Sequence, residues 1–417
     1  MKIKRLLAIT VTALAAITLA ACGKSNSSSD ASSVKKITIF QSKVEITDDL
    51  KKLAKQYEKE KGVKVEVWGT TGDDYITQVK TKLSNRTSGP NIFSSGGGLE
   101  GEQLKSYMAN MSNAAFVKNI AKNKAFEIDK KVLGLPYSVE GYGLIVNKAL
   151  VDPKSINDPD KFIAFLKQSK ADGKFTGFEL SQESYFLIGH MLNTAFSLQK
   201  NQRQFVQDVN SGKVKLQNVD EFKQLAKIYE AIRAYTNNPL QVNYDKQIGD
   251  FMTGKTASIN QGMWINPLLS SYKNSTAELE MVPFPFEGND KIAVDVPQYW
   301  HVNANKSSAE VQASMDFLNW LTSSKTGQDY IVNKFQMIPA MTNIKVDTAK
   351  MDTLSRTVYD ASQSGEDFPW ASAYWPFGIV DTDLVPVAQK FFTNKSMTGT
   401  EFVTQLSAEF VKASQKK

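Results

Sequence analysis

An alternation of strand and helix patterns near the start of the chain constrains its fold most. Polar and β-branched or aromatic side chains alternate in residues 36–40 (KITIF) and 63–67 (VKVEV), which is typical of strands. Apolar residues recur at helical spacing in 46–57 and 74–84. A short apolar run at 90–93 (PNIF) predicts a third strand. The order strand, helix, strand, helix, strand predicts βαβ units and a largely parallel sheet.

A glycine-rich loop, Ser94–Gly98 (SSGGG), follows the third predicted strand. It matches neither phosphate-binding pattern, GxxxxGK[ST] or GxGxxG. Two interpretations stay open. The loop is a tight turn, or its glycines let a bulky ligand approach the backbone, because α/β sheets bind ligands at the carboxyl ends of their strands.

Length and composition favour a soluble body with more than one domain. At 417 residues the chain suggests two or three domains, or one large body of two lobes. Apolar residues make up 41% and charged residues 22%, as in ordinary globular proteins. The single cysteine, Cys22, excludes an internal disulfide, and two histidines cannot form a multi-histidine metal site. We expect neither a metal nor a cofactor.

The N-terminus predicts where the protein is located. Residues 1–5 are basic, and 6–20 form an apolar stretch shorter than the roughly 20 residues that a spanning helix needs. Residues 19–23 (LAACG) resemble a bacterial lipobox, in which the cysteine is lipidated after cleavage before it. This predicts a lipoprotein signal peptide at 1–21, lipidated Cys22, and a Ser-rich tether at 22–35. The body would then be anchored at the outer face of the bacterial cytoplasmic membrane. The alternative is a plain signal peptide with an incidental cysteine.

The net charge argues against a nucleic-acid partner. The formal charge is +7, but Lys2, Lys4 and Arg5 lie in the predicted signal peptide. Their removal leaves 47 basic and 43 acidic residues, a net charge of +4. So small a charge over the remaining chain gives no electrostatic footprint for nucleic acid.

Four segments carry a resemblance to a known family: 134–148 (GLPYSVEGYGLIVNK), 251–264 (FMTGKTASINQGMW), 302–306 (VNANK, followed by a predicted helix) and 336–340 (QMIPA). In order and spacing they resemble segments of the extracellular solute-binding proteins of ABC-type sugar importers, in particular the maltodextrin and multiple-sugar group, solute-binding family 1. The resemblance covers roughly residues 36–417.

The resemblance implies an α/β fold of two discontinuous lobes, joined by hinge crossings around a ligand cleft as in periplasmic binding proteins. The N-lobe would comprise 36–138 plus 296–340, and the C-lobe 143–290 plus 345–417. Such proteins close around the ligand by a hinge motion. The implied function is the binding of an extracellular oligosaccharide and its delivery to the permease subunits of an ABC importer, with the binding protein acting as a monomer.

Aromatic residues are the first candidates for ligand contact, because the C–H faces of a sugar stack on aromatic rings. The candidate tryptophans are Trp264, Trp300, Trp370 and Trp375. The resemblance places Trp264 and Trp300 in the cleft. Residues 367–377 combine several aromatic side chains with two prolines and resemble a segment that lines the cleft in the family. Trp375 is the best single stacking candidate, and an apolar cluster outside the cleft is the alternative.

Polar residues that could bind sugar hydroxyl groups are the second set of candidates. They are Gln41, Lys43, Asp73, Asp74, Glu100, Glu140, Glu183 and Tyr185, with His190, Asn260 and Gln261 as weaker ones. The resemblance places Glu140 in the first crossing segment and Glu183 and Tyr185 in a ligand loop. Solvated surface is the alternative for each. Residues 367–377 lack an arginine that some maltodextrin binders have there. This argues against maltodextrin as the particular ligand more than it argues against sugar binding.

A lipid-anchored glycoside hydrolase is the alternative function. It would need two carboxylates roughly 5 or 6.5–9.5 Å apart, for which Glu140 and Glu183 could be considered. The sequence contains no GxSxG, HExxH or P-loop pattern, and we predict no catalytic residue. An adhesin or structural lipoprotein would leave the crossing segments unexplained.

Overall fold

The computed structural model describes residues 34–69, 72–122, 124–273 and 275–415. The predicted signal peptide, Cys22 and almost all of the predicted tether lie outside the described residues. Within the described ranges, no helix combines the length and apolar character that a membrane span requires.

The strands and helices alternate along the described chain. The strands are β1 (Lys36–Gln41), β2 (Lys64–Gly69), β3 (Ile92–Ser95), β4 (Phe126–Ile128), β5 (Lys131–Pro136), β6 (Glu140–Asn147), β7 (Ser258–Gly262), β8 (Leu279–Val282), β9 (Ile292–Asp295), β10 (Tyr299–Val302) and β11 (Asp367–Phe368). The helices are α1 (Thr47–Lys61), α2 (Gly72–Ser84), α3 (Gly98–Leu104), α4 (Pro159–Asp172), α5 (His190–Ser197), α6 (Gln202–Asn210), α7 (Asp220–Tyr235), α8 (Tyr244–Met252), α9 (Asn266–Leu269), α10 (Ser308–Ser323), α11 (Lys325–Asp329), α12 (Thr353–Ser364), α13 (Val385–Thr393) and α14 (Gly399–Gln415).

The first sheet, which belongs to the N-lobe, has the order β2-β1-β3-β10-β5-β4. Strand β1 pairs in parallel with both β2 and β3, as the βαβ pattern predicts. The prediction of a largely parallel sheet is wrong for the other half. Strand β10 is antiparallel to both β3 and β5, and β4 is antiparallel to β5. The reason is that β10 enters this sheet from the other lobe and β4 and β5 follow each other as a hairpin, so neither has a βαβ connection.

The second sheet, which belongs to the C-lobe, is built around β6. Its order is β11-β9-β6-β7, and β8 also pairs with β6. All eight residues of β6 are buried, because helices and strands cover it on all sides. The core of this lobe is rich in phenylalanine. Phe196 of α5, for example, contacts Phe222 of α7 and Phe410 of α14, with ring centroids 5.0 Å apart in both pairs. These ring contacts join α5, α7 and α14 in one apolar core.

The chain passes between the two sheets through short segments. The turn from β5 to β6 crosses at 137–139, and the return from β9 to β10 crosses at 296–298. The backbone of Val139 forms a bridge with Ile338, where its N–H donates to the carbonyl oxygen at 2.8 Å. The prediction of two α/β lobes joined by crossings is therefore confirmed.

A buried histidine, His301, ties together three strands of the N-lobe. Its Nδ1 lies 2.7 Å from the carbonyl oxygen of Leu133, and its Nε2 lies 2.8 Å from Oγ of Ser95. Because a carbonyl oxygen can only accept, Nδ1 carries the hydrogen and Nε2 accepts from Ser95. Burial lowers the pKa of His301 to about 4, although the bond to Leu133 opposes the shift. The ring is therefore neutral at pH 7.

We predict that this histidine makes the protein less stable in mild acid. The pKa of His301 is lower in the folded state than the roughly 6.5 of an unfolded chain, so the unfolded state takes up the proton first as the pH falls. Between pH 7 and pH 5 the free energy of unfolding should fall by about 2 kcal/mol through this residue. Urea unfolding at the two pH values measures the loss. In His301→Gln the decrease should be smaller by that amount, and an unchanged decrease would contradict the assignment.

Candidate ligand-binding site

Six neighbouring rings of the C-lobe form a continuous group, which we call the aromatic platform. Its members are Tyr142, Tyr185, Phe186, His190, Trp264 and Trp370. His190 is central. Its ring stacks on Tyr142 at a centroid distance of 4.2 Å and lies 5.3 Å from Trp264. Tyr142 and His190 are buried, whereas Trp264 and Trp370 are half-buried and Tyr185 is 40% exposed. Phe186 is half-buried too, with its ring stacked on that of Tyr244. The platform thus has a buried base, and besides Phe186 it has three accessible rings, Tyr185, Trp264 and Trp370.

Two glycines allow the accessible rings to lie against the backbone. A Cβ atom on Gly262 would be 2.4 Å from Cζ3 of Trp264, and one on Gly189 would be 2.7 Å from Cδ1 of Tyr185. Any larger residue at either position would displace the ring. Tyr185 also begins a π-helical turn, Tyr185–Gly189, and such turns are frequent at functional sites.

A chain of buried amides fixes the orientation of Trp264. Its Nε1 donates to Oε1 of Gln261 at 2.8 Å, and Nε2 of Gln261 donates to Oε1 of Gln247 at 2.7 Å. Gln247 in turn donates to the carbonyl oxygen of Glu179 at 2.7 Å. Because both glutamines are fully buried, the indole is held in one orientation before any ligand arrives. Gln261, a weaker candidate for ligand contact, therefore positions Trp264.

The base of the platform is uncharged at neutral pH. Burial lowers the pKa of His190 to about 3, and the nearby side chain of Asn260 opposes the shift only in part. Among the residues that the structure describes, no group of three or more His, Cys, Asp or Glu side chains is arranged to hold a metal ion.

The N-lobe contributes a carboxylate that faces the platform. Glu100 on α3 accepts from the backbone N–H of Gly96 at 2.8 Å, and burial raises its pKa. Tyr185 combines 40% exposure with a pKa that is raised by the surrounding protein and by the charges of Glu100 and Asp381. The charge of Glu100 acts on Tyr185, so this carboxylate of the N-lobe lies near the platform of the C-lobe. We call the space between them the crevice. One wall of the crevice is Glu100 on the N-lobe, and the other is the platform on the C-lobe.

The floor of the crevice holds an ion pair between the lobes. Nζ of Lys43, which follows β1, lies 2.7 Å from Oε1 of Glu140, the first residue of β6, and the two side chains are only 12% and 5% exposed. Burial alone would lower the pKa of Lys43, but the charges of Glu140 and Glu45 outweigh it and the pKa is raised. Gln41 holds the turn, since its Oε1 accepts from the N–H of Lys43 at 2.8 Å and its Nε2 donates to the Lys43 carbonyl oxygen at 2.9 Å. The structure therefore pairs these three predicted ligand contacts with each other.

Two of the predicted stacking tryptophans lie in the cores of the lobes. Trp300 is 3% exposed, and its ring centroid is 4.4 Å from that of Tyr137 inside the N-lobe. Trp375 is also 3% exposed and packs against Phe196 and Phe410 of the C-lobe, at 5.2 and 5.4 Å. Both rings are covered by side chains of their own lobe rather than by the opposite lobe. The structure thus places Trp375 in the apolar cluster that was the alternative to the cleft.

Two of the remaining predicted contacts form hydrogen bonds to the backbone of the C-lobe. Glu183 accepts from the backbone N–H of Tyr244 at 2.8 Å through Oε1, while its buried Oε2 has no hydrogen-bond partner among the described residues. Asn260 donates to the carbonyl oxygen of Phe186 at 2.9 Å and so supports the platform. The side chains of Asp73 and Asp74 lie outside what the structure describes.

The sequence analysis missed three residues of this region. Tyr142 comes two positions after Glu140 on β6, and side chains two apart on a strand share a face, so strand periodicity could have identified it. Phe186 lies four residues before His190, about one helical turn, so helical spacing could have identified it. Asp295 accepts from the backbone N–H of Trp370 at 3.2 Å, 75 residues further along the chain, and no local pattern predicts that contact.

Two α/β lobes with a crevice between them, lined by accessible aromatic rings, define a two-lobed solute-binding protein. Residues 52–357 match the family of bacterial extracellular solute-binding proteins, and the chain belongs to that family. A maltooligosaccharide ABC transporter solute-binding lipoprotein of Streptococcus pneumoniae is 25% identical over 391 residues, which cover 87% of each chain. A multiple sugar-binding protein of Streptococcus mutans is 27% identical over 43% of this chain, and that match spans only 44% of the relative.

The comparison with solved structures supports the same fold. The solute-binding protein RafE in complex with raffinose superposes with a TM-score of 0.73 at 17% identity, over 91% of this chain and 99% of its own. At that identity the likeness concerns the fold alone.

We predict that Trp375 contributes to stability as a core residue. Replacing a buried tryptophan by alanine leaves a cavity and costs about 3–5 kcal/mol. Trp375→Ala should therefore lower the free energy of unfolding by that amount, as measured by urea denaturation. Trp370→Ala, a half-buried control five residues away, should cost clearly less. Equal losses in the two variants would contradict the core placement.

Proposed function

We propose that this protein is the extracellular solute-binding subunit of an ABC importer, that it binds an oligosaccharide in the crevice between its lobes, and that it delivers this ligand to the membrane permease. The aromatic platform carries the proposal. Three accessible rings, Tyr185, Trp264 and Trp370, face a crevice whose opposite wall provides the carboxylate of Glu100. The relatives' names, a maltooligosaccharide lipoprotein and a multiple sugar-binding protein, favour oligosaccharides over other solutes.

The chemistry of the site fits a sugar in both of its aspects. The ring faces offer apolar area to the C–H faces of a pyranose at low entropic cost. Around the platform, the described residues leave several buried polar atoms without a partner, namely Ser181 Oγ, Glu183 Oε2 and Trp370 Nε1. These atoms are buried in this conformation, and a sugar hydroxyl, which both donates and accepts, would pair with the carboxylate and with the indole N–H once the lobes open. Unpaired buried polar atoms are costly, and a ligand that pairs them gains affinity.

The proposed contacts are a subset of those predicted from the sequence. We assign ligand contact to Glu100, Glu183, Tyr185, Trp264 and Trp370. The ion pair and its supporting Gln41 shape the floor of the crevice. Trp300 and Trp375 stabilise the lobes. We propose that the protein works as a monomer, because each chain contains both walls of its crevice.

A sugar panel tests the proposal and Trp264 tests the site. Maltotriose, raffinose and chitotriose are titrated calorimetrically into the full chain, and we expect binding of at least one. For that sugar, Trp264→Ala should weaken binding about tenfold to a hundredfold, because stacking on an aromatic ring contributes about 1–3 kcal/mol. Trp264→Phe, which keeps an aromatic ring, should lose less. Unchanged affinity in Trp264→Ala would exclude the platform as the binding surface.

The same panel distinguishes transport from hydrolysis. We propose that the ligand leaves the protein unchanged. Chromatography of the bound sugar after overnight incubation should show only the original oligosaccharide. Shorter products would support the alternative of a lipid-anchored glycoside hydrolase.

We also propose that Cys22 carries a lipid that anchors the protein at the outer face of the cytoplasmic membrane, as the lipoprotein names of its relatives suggest. Cys22→Ala should move the protein from the membrane fraction to the medium, since stable anchoring needs the acyl chains. The affinity for sugar should not change, because the folded body is intact. Immunoblots of the two fractions measure the release, and a protein that stays with the membrane would rule out this anchor.

A further inference from the structure

The segment 370–377 is fixed to the C-lobe on one side. The backbone N–H of Ser372 donates to Oδ1 of Asn193 at 2.7 Å, and that of Ala371 donates to Oγ of Ser197 at 3.1 Å. Both acceptors belong to α5. Trp375 adds an apolar anchor in the core. The segment therefore moves as a rigid part of the C-lobe.

The other side of the same segment contacts the N-lobe at two points. Nζ of Lys80 on α2 lies 4.3 Å from the ring centroid of Phe377, which is the distance of a cation–π contact. Gly98, the first residue of α3 and the last of the glycine-rich loop, lies against the backbone of Ala373. These contacts bridge the lobes close to Trp370, which begins the segment.

The contact at Gly98 leaves no room for a side chain. A Cβ atom there would be 1.9 Å from the carbonyl oxygen of Ala373 and 2.6 Å from its carbonyl carbon. Gly98 also has a φ of +57°, a conformation that favours glycine. The opposing atoms belong to the backbone of a segment anchored in the core, so they cannot rotate away. Only a separation of the lobes would relieve the overlap.

We propose that Gly98 is a positioning residue for closure: the glycine-rich loop is the surface on which the segment 370–377 docks when the lobes close. This assigns a role to a loop whose glycines could have served either a tight turn or a ligand. The proposal rests on the proposed function in one respect, namely that the closed form of the protein retains the sugar. Because Trp370 belongs to the docking segment, a sugar stacked on Trp370 is held where the lobes meet.

Cross-linking tests the docking without any sugar. Cys22 is the only cysteine of the chain, so Lys80→Cys and Phe377→Cys in a Cys22→Ser background provide the only two thiols. A short bismaleimide should join them, because the two side chains face each other across the lobes. Adding Gly98→Ala should slow the reaction about tenfold or more, since overlap of this kind is costly. No cross-link in the background, or the same rate with Gly98→Ala, would overturn the proposal.

Two further variants separate the overlap from other effects. Gly98→Asn restores a residue that tolerates positive φ but keeps the overlapping Cβ atom, and should slow the reaction as Gly98→Ala does. Gly62→Ala is the matched control, because Gly62 is in the same lobe with a φ of +70°, and a Cβ atom there would meet no neighbouring atom within 4 Å. It should leave the rate unchanged. A rate restored in Gly98→Asn, or slowed equally in Gly62→Ala, would attribute the effect to strain instead of docking.

Sugar binding provides the second measurement. For the sugar found with the panel, Gly98→Ala should increase the dissociation rate about tenfold, whereas Gly62→Ala should not. If no sugar binds, the proposed function fails but the cross-linking result still decides the docking. If sugar dissociates from Gly98→Ala at the original rate, docking at this loop does not retain the ligand and the proposal fails.

Discussion

The buried ion pair between Lys43 and Glu140 is the interaction on which the arrangement of the two lobes depends. Removing two charges from water is expensive, and only close pairing with further hydrogen bonds offsets that cost. Here Glu140 also accepts from Oγ of Ser138 at 2.9 Å, so the carboxylate is bound by the N-lobe and by the crossing between the lobes. If Lys43 and Glu140 were separated, each buried charge would lose its partner. The pair therefore fixes the relative position of β1 and β6, and with it the floor of the crevice.

This pairing determines where ligand affinity can arise. Lys43 and Glu140 satisfy each other, so the floor offers little free hydrogen-bonding capacity. In the proposed function the accessible rings of Tyr185, Trp264 and Trp370 then supply most of the contact area. Glycine backbones set the positions of Tyr185 and Trp264 in advance, and buried amides fix Trp264 further. A preformed apolar surface loses little entropy on binding. The burial of His190 also keeps the platform apolar. Its low pKa leaves the imidazole ring uncharged at neutral pH, so no hydrated charge lies next to the accessible rings.

The sequence allowed the larger features to be predicted because they depend on local patterns. Alternating side chains and helical spacing identified β1 to β3, and the crossing segments indicated two lobes. Strand periodicity also predicts that Tyr142 lies on the same face of β6 as Glu140, although the sequence analysis did not include it. The partners of Lys43 could not be predicted in this way, because Glu140 is 97 residues distant and is brought close only by the crossing between lobes. Likewise the direction of β10 follows from its origin in the other lobe, which no pattern within residues 299–302 records.

The segment around Trp375 shows why a dense aromatic pattern is ambiguous. Within eight residues, Trp370 contacts the platform, Trp375 fills the core and Phe377 meets Lys80 of the opposite lobe. We assign these positions to ligand contact, anchoring and docking, and each of these proposed roles uses an aromatic ring for a different physical reason. The neighbours that distinguish them, Phe196 and Phe410, lie on helices far away in the sequence. The structure places Trp375, the predicted stacking residue, in the core, and Trp370 of the same segment is the ring that we propose for ligand contact. The anchor supports the ring that we propose for ligand contact, because Trp375 in the core and the hydrogen bonds of Ala371 and Ser372 to α5 together hold the segment in which Trp370 lies.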